Sequence, residues 1–340
     1  STALYGILGP QGLRGPVARL VDILFVLSLL GGAGYSLGIS TPMISAGFSH
    51  LTGFEDGFGL QVVTALFCVA LFATSAYLGL TKGIKILSDW NVRLALLLLA
   101  FILISGPTVF ILKTSLSSLG FMLSNFIRMS TWADPFTESG FVESWTVFYW
   151  AWWIAYAPFV GLFVARISRG RTLRQLILGM LVYGSSGGFL FFMILGNYGL
   201  HLETVQNAGF VDVMQNQGEV AAIMLMLESL SLPNVVIAAF CVVSVVFCAT
   251  TYDSASYIIA SAVTKKLNPG DEPARSNRLF WAIALAALPI GLMYIGSSHA
   301  GASKAIRSIL LLASFPILFI GILSAYSLVK QIKADAAIRG

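Results

Sequence analysis

Eight stretches of this 340-residue chain run for about 20 mostly apolar residues, enough for a helix to cross the hydrocarbon layer of a bilayer. They lie near 18–40, 59–80, 91–113, 144–165, 174–196, 234–262, 278–298 and 306–329. Lipid offers no water to a backbone N–H or C=O, so a lipid-exposed segment must satisfy those groups itself, and a helix does so locally. The predicted fold class is all-α: a polytopic membrane protein, with residues 1–340 as a single transmembrane domain. Only 10% of residues are charged, against about 25% in a soluble domain, so little soluble mass is expected.

Orientation follows from the basic residues. Of the 20 Lys and Arg, all but Lys113, Arg128, Lys304 and Arg307 fall on one side of the eight-span arrangement. The positive-inside rule makes that side cytoplasmic and puts both ends of the chain there. The net charge of +5 is explained by topology. No basic patch is interleaved with surface aromatics, so nucleic acid is not an expected partner. The chain opens "STALYGILGP", without Met, and reads as though cut from something longer.

Residues 114–133 place Leu119, Met122, Phe126 and Met129 at helical spacing, which predicts an amphipathic helix flat on the outer surface. "EVAAIMLMLESL" from 219 is a second amphipathic piece. Four spans carry helix-weakening residues: "GGAG" at 31–34, Pro158, "GSSGG" at 184–188 and "CATTYDS" at 248–254. Such breaks persist in a membrane where protein or a water-filled cavity covers them, or where small residues let helices pack closely.

Catalytic chemistry finds little support. Cys68, Cys241 and Cys248 lie in apolar runs and read as small buried hydrophobes; His50, His201 and His299 are scattered; no zinc-binding spacing occurs. Asp253 and Ser254 are intramembrane polar neighbours with no His beside them, so the chain does not read as an enzyme.

The densest chemical signal is "SWTVFYWAWWIAYAPF", 144–159. On a helical wheel Trp145, Tyr149, Trp152, Trp153 and Tyr156 share an arc of about 100°, with Trp150 elsewhere. An interfacial belt would put aromatics near a helix end. Trp152 and Trp153 lie about 10 Å further in, a depth that suits an aromatic box. A quaternary ammonium or sulfonium carries charge but no N–H, and aromatic faces hold it at about 2 kcal/mol per desolvated contact. Box and belt remain the two readings of the residues alone.

"WTVFYWAWW" followed by "PFVGLFVARISRGRTLRQ" resembles the signature of the betaine/choline/carnitine transporter (BCCT) family, and "GPVARLVDIL", "SLGIS", "KGIKILSDWN", "GPTVFIL" and "DSAS" match in order. The resemblance implies a LeuT-type inverted-repeat core with substrate near the bilayer midplane. It aligns this chain with family helices five to twelve, the C-terminal two-thirds. The core is then incomplete here: the first four helices are lacking, and with them half of the box, so this chain alone is not expected to transport. It assigns Trp152, Trp153 and Tyr156 to the box, with Trp150 lining the pathway. It implies uptake of a small cationic or zwitterionic solute (betaine, choline, carnitine or dimethylsulfoniopropionate) by a homotrimer embedded in lipid, with the outer helix at the trimer contact. The other readings kept are a sodium-independent solute exchanger and an osmosensing protein without net transport.

No cofactor is implied beyond Na+. Sodium-driven members hold an ion at positions matching the Phe247 carbonyl, Thr250 and Thr251. From the residues alone, such Thr hydroxyls equally bond back to their own helix. A second family sodium site would need hydroxyls where this chain has Leu29 and Ala33, with Phe159 retained, and should not form. Arg93 either snorkels to the cytoplasmic interface or, as the resemblance to sodium-independent carnitine exchangers implies, stands in for the ion.

Overall fold

The computed structural model describes residues 1–78, 83–137, 139–264, 267, 271–297 and 302–339, and among them there is no strand. The long helices are α1 (Pro16–Thr52), α2 (Phe58–Leu78), α3 (Gly83–Ser105), α4 (Thr108–Ser124), α5 (Phe148–Ile167), α6 (Leu173–Thr204), α7 (Glu219–Glu228), α8 (Pro233–Val263), α9 (Arg275–Ser297) and α10 (Ala302–Arg339). Short helices fill Tyr5–Gly12, Phe126–Thr131 and Phe210–Asn216. Among the described residues six helices are long and apolar enough to cross a membrane: α1, most of α3, α5 with its leading turn, α6, α8 and Leu310–Asp335. The fold is that of an all-helical, multi-pass membrane protein. The two other expected spans coincide with α2 and α9; the ends of those stretches, 79–80 and 298, lie outside the described residues.

Several boundaries differ from the expected ones. The stretch 91–113 is two helices. Pro107 has no N–H and disfavours helical backbone at Gly106, so α3 ends at Ser105 and α4 starts at Thr108. The Thr108 hydroxyl donates to the Leu103 carbonyl at 2.6 Å, satisfying an acceptor at the end of α3. The helix expected over 114–133 begins earlier, as α4, and breaks at Asn125 before Phe126–Thr131. α1 continues unbroken through "GGAG" and α8 through "CATTYDS". α6 instead carries two π-helical turns, Met180–Gly184 and Phe192–Gly196, the first ending where "GSSGG" begins.

The chain forms two compact units: residues 1–38, 134–167 and 252–340, and residues 39–133 and 168–251. In the second unit, Leu99, Ile102, Ile111, Tyr198, Leu202, Met226, Leu227 and Ile237 form a buried apolar cluster from α3, α4, α6, α7 and α8. Two polar side chains of α6 are paired there. Asn197 donates to the Ser115 hydroxyl and the Met193 carbonyl, both at 2.9 Å, and the Tyr198 and Ser229 hydroxyls are 2.9 Å apart. Gly47 lets α1 meet α8: a Cβ there would stand 2.3 Å from the Cys241 sulfur. In the first unit the N-terminal half of α1 packs on α5, with the Ser28 hydroxyl donating to the Ala155 carbonyl at 3.0 Å.

Candidate functional site

The aromatic site belongs to the first unit. A π-helical turn, Val142–Val147, leads into α5. Down one face of the helix, Trp145 stacks on Tyr149 with centroids 5.9 Å apart, Tyr149 meets Trp152 at 5.9 Å, and Trp152 meets Tyr156 edge-on at 6.4 Å. Residues three and four apart on a helix share a face, so this ladder follows directly from the spacing.

α1 supplies a second wall. The Tyr35 ring lies edge-on to Trp152 at 5.0 Å and to Phe148 at 4.9 Å. The Ser36 and Tyr156 hydroxyls are 3.0 Å apart. Gly32 permits the approach, since a Cβ there would stand 2.9 Å from the Tyr156 ring. The Trp152 indole N–H is buried and has no hydrogen-bond partner among the described residues. Trp152 and Tyr156 are thus brought together between α1 and α5. Trp150 and Trp153 are not: they are 66% and 67% exposed on the chain. The sequence reading assigned none of Tyr35, Ser36, Gly32 and Phe148 to the site, although Gly32 lies in "GGAG" and Phe148 in the aromatic stretch. The available signal for the α1 residues was "GGAGYS", a small-residue run followed by a tyrosine and a serine.

Deeper in the same unit, Asp253 on α8 faces Arg278 on α9, with an oxygen–nitrogen distance of 3.2 Å and both side chains 1% exposed. Glu272 stands 3.5 Å from the same guanidinium, which also lies 5.2 Å from the centre of the Tyr257 ring. A buried carboxylate needs such a partner, because an unpaired charge in low dielectric is costly. Leu29 and Ala33 are fully buried and Phe159 is buried. The Ala33 carbonyl accepts from the Tyr252 hydroxyl.

The positions read as sodium ligands belong to the second unit. The Thr250 hydroxyl bonds back to its own helix, to the Val246 carbonyl at 3.0 Å and the Phe247 carbonyl at 3.1 Å. Thr251 is half-buried one residue on. Arg93 is exposed on α3, its guanidinium 5.7 Å from the centre of the Trp90 ring. Among the described residues no group of three or more His, Cys, Asp and Glu could hold a metal ion.

Comparison with known proteins matches residues 1–337 to the model of the betaine/carnitine/choline family transporters. The match runs over essentially the whole chain, so it does not bear out the confinement of the likeness to the family's C-terminal two-thirds. The chain is 32% identical to the uncharacterized transporter YeaV of Escherichia coli K12 over 95% of its own length and 66% of that protein. It is 34% identical to a carnitine transporter of Acinetobacter baumannii, covering 95% of this chain and 58% of that one. It is likewise 34% identical to the glycine betaine transporter OpuD of Bacillus subtilis, covering 98% and 63%. The chain therefore spans between about half and two thirds of the length of such relatives.

Proposed function

The chain belongs to the betaine/carnitine/choline transporter family, and from that premise we propose that it serves secondary active transport of a small quaternary-ammonium or sulfonium solute. The family is one of transporters, not enzymes. The observation that carries the reading is the ladder Trp145–Tyr149–Trp152–Tyr156, with Tyr35 against Trp152. Its rings offer electron-rich faces that attract a cation lacking N–H donors, while giving up little water of their own. Trp152 and Tyr156 are the box residues on this chain, Trp153 extends it, and Trp150 lines the approach. Glycine betaine and carnitine are the first candidates, from what the relatives transport by name; choline and dimethylsulfoniopropionate share the chemistry.

Binding of one solute is followed by alternating access around it. Sodium, where used, is one ion at the Phe247 carbonyl, Thr250 and Thr251; a sodium-independent exchanger is the second reading, favoured by the Thr250 hydroxyl being bonded back into its helix. The protein sits in a bacterial inner membrane with the basic connections cytoplasmic. It assembles as a homotrimer, with α4 and Phe126–Thr131 at the contact; Phe121, Leu123, Phe126 and Ile127 are exposed there.

Binding to the purified protein in detergent or nanodiscs tests the cation reading. Tryptophan fluorescence should respond saturably to glycine betaine, carnitine or choline. It should not respond to 3,3-dimethylbutanol, the uncharged isostere of choline. Equal binding of the neutral isostere would remove the cation–π basis of the proposal.

A further inference from the structure

α6 changes character partway along. From Leu173 to Met193 none of its residues is buried, whereas Ile194, Asn197, Tyr198, Gly199 and Leu202 all are. Ile194, Tyr198 and Leu202 belong to the apolar cluster of the second unit, alongside Leu99 and Ile102 of α3 and Ile111 of α4. The change coincides with the second π-helical turn, Phe192–Gly196. One end of the helix is anchored in a packed core, and the other sends no side chain into a core among the described residues.

A π-turn widens the helix and interrupts its regular backbone ladder. Here side chains brace the interruption. The Met193 carbonyl accepts from the Asn197 side-chain amide at 2.9 Å and from the Ser115 hydroxyl of α4 at 3.3 Å, and the same amide donates to the Ser115 oxygen at 2.9 Å. The turn is thereby tied to α4 on its anchored side. Around the exposed arm there is room: a Cβ at Gly184, Gly187, Gly188 or Gly196 would meet no atom within 4 Å. The first π-turn, Met180–Gly184, is braced by the Ser186 hydroxyl, which donates to the Val182 and Tyr183 carbonyls at 2.6 and 3.2 Å. It lies wholly within the exposed arm, so neither of its sides is fixed.

We propose that Phe192–Gly196 is a hinge, about which residues 173–191 swing as a lever while Asn197 and Ser115 hold the pivot against α4. Sharp helix kinks have few causes, and a π-bulge is one of them. Low packing density lets a segment move without opening the core beside it. A helix that bends at one prepared joint also keeps its backbone groups satisfied, as lipid demands. Leu178 lies about 21 Å before Phe192 at 1.5 Å per residue, so a change in kink of about 20° carries it about 7 Å. The inference goes beyond the solute reading. Alternating access needs a part that moves, and the hinge names one, yet it can be measured with no solute present.

Distances between pairs of spin labels, measured by pulsed electron paramagnetic resonance on the protein in nanodiscs, test it. Leu97→Cys on α3 with Leu178→Cys spans core and arm; Leu97→Cys with Leu200→Cys stays on the anchored side. All three positions are exposed, and the native cysteines are buried, so the parent protein supplies the labelling background. The distance from Leu97 to Leu178 should spread over about 7 Å or more, and that from Leu97 to Leu200 should stay narrow. Gly196→Ala favours regular helix and meets no neighbouring atom, so it should narrow the first distribution. Gly184→Ala should leave it as it is. Elution profiles matching the parent protein would show that the variants remain folded. A first distribution as narrow as the second, one that Gly196→Ala leaves unchanged, or one that Gly184→Ala narrows equally would overturn the proposal. Such a failure leaves the solute-binding reading untouched, because the aromatic ladder lies on α5.

Discussion

Asp253 and Arg278 form a buried ion pair, 3.2 Å between oxygen and nitrogen, linking α8 to α9 inside the first unit. Each charge alone would be stranded in low dielectric. Removing one partner from such a pair typically costs about 3–5 kcal/mol, whereas replacing both with apolar groups is often neutral. Arg278→Met and Asp253→Asn should therefore each lower the thermal midpoint in detergent sharply. The double variant Asp253→Leu with Arg278→Met should recover much of the loss. A double variant less stable than the sum of its parts would contradict this account.

Asp253 and Arg278 also mark the limit of what the sequence makes legible. A carboxylate inside an apolar run demands a partner, and that much is readable from residues 248–254. Its partner is not, because Arg278 is written at the end of a polar connection and counts there as one more topological charge. The spans are legible because apolar length is a local property. Their ends are less so: residues 41–52 of α1 are mixed in polarity, yet the helix continues through them to Thr52. The break at Gly106–Pro107 falls inside an apolar run and is visible only through proline's missing N–H. Along α5 the ring ladder is readable from spacing, whereas Tyr35 reaches Trp152 across more than a hundred residues through packing alone.

Gly47 and Cys241 give a packing prediction. A Cβ at Gly47 would come within 2.3 Å of the Cys241 sulfur, so Gly47→Ala must displace a thiol held near the Ile44 carbonyl or push α1 from α8. Overpacking of this kind costs about 1–3 kcal/mol. Removing the sulfur should relieve it, so Gly47→Ala with Cys241→Ala should be more stable than Gly47→Ala alone. Additive losses in thermal unfolding would show that the two residues do not compete for space.

Asp134 gives a pH dependence outside the spanning helices. Its backbone has φ of 48°, which Asp tolerates better than most residues. Its carboxylate accepts from the Ser139 hydroxyl at 2.5 Å, from the Thr137 hydroxyl and from the Ser139 N–H at 2.9 Å. These bonds, the Ser139 hydroxyl foremost, favour the ionised form and lower the pKa from 3.8 to about 2. A depressed folded pKa adds stability that is fully present above the ordinary value and is lost as pH falls from there to about 2. A carbon-13 titration of the Asp134 carboxyl should show the low midpoint. Ser139→Ala with Thr137→Val should return it toward the ordinary value; an unchanged midpoint would mean the bonds do not form in solution.

Trp152 and Trp153 separate the box from the belt. Leu in place of either keeps the site apolar but removes the ring quadrupole. At about 2 kcal/mol per contact, each change should weaken solute binding by about one to two decades. Membrane insertion should survive both. Trp152→Leu tests the inward face against Tyr35, and Trp153→Leu tests the face exposed on this chain. Undiminished affinity in both variants would leave these rings as packing and interfacial anchors.

Arg93 bears on the energy source. Were its guanidinium to occupy the ion position by Thr250 and Thr251, sodium would meet a fixed charge about 4–6 Å away, costing about 3–4 kcal/mol at an effective dielectric of 20. Affinity would fall by two decades or more. The Arg93 side chain instead lies exposed over Trp90, where water and salt screen it. Sodium should therefore bind with Arg93 present and stabilise the folded protein by mass action, raising the thermal midpoint in sodium above that in potassium. Thr250→Ala or Thr251→Ala should abolish that difference, and Arg93→Ala should leave it as it is. Identical midpoints in the two salts would sink the sodium reading in favour of solute exchange. A sodium response that emerged only in Arg93→Ala would put the guanidinium in the ion's place.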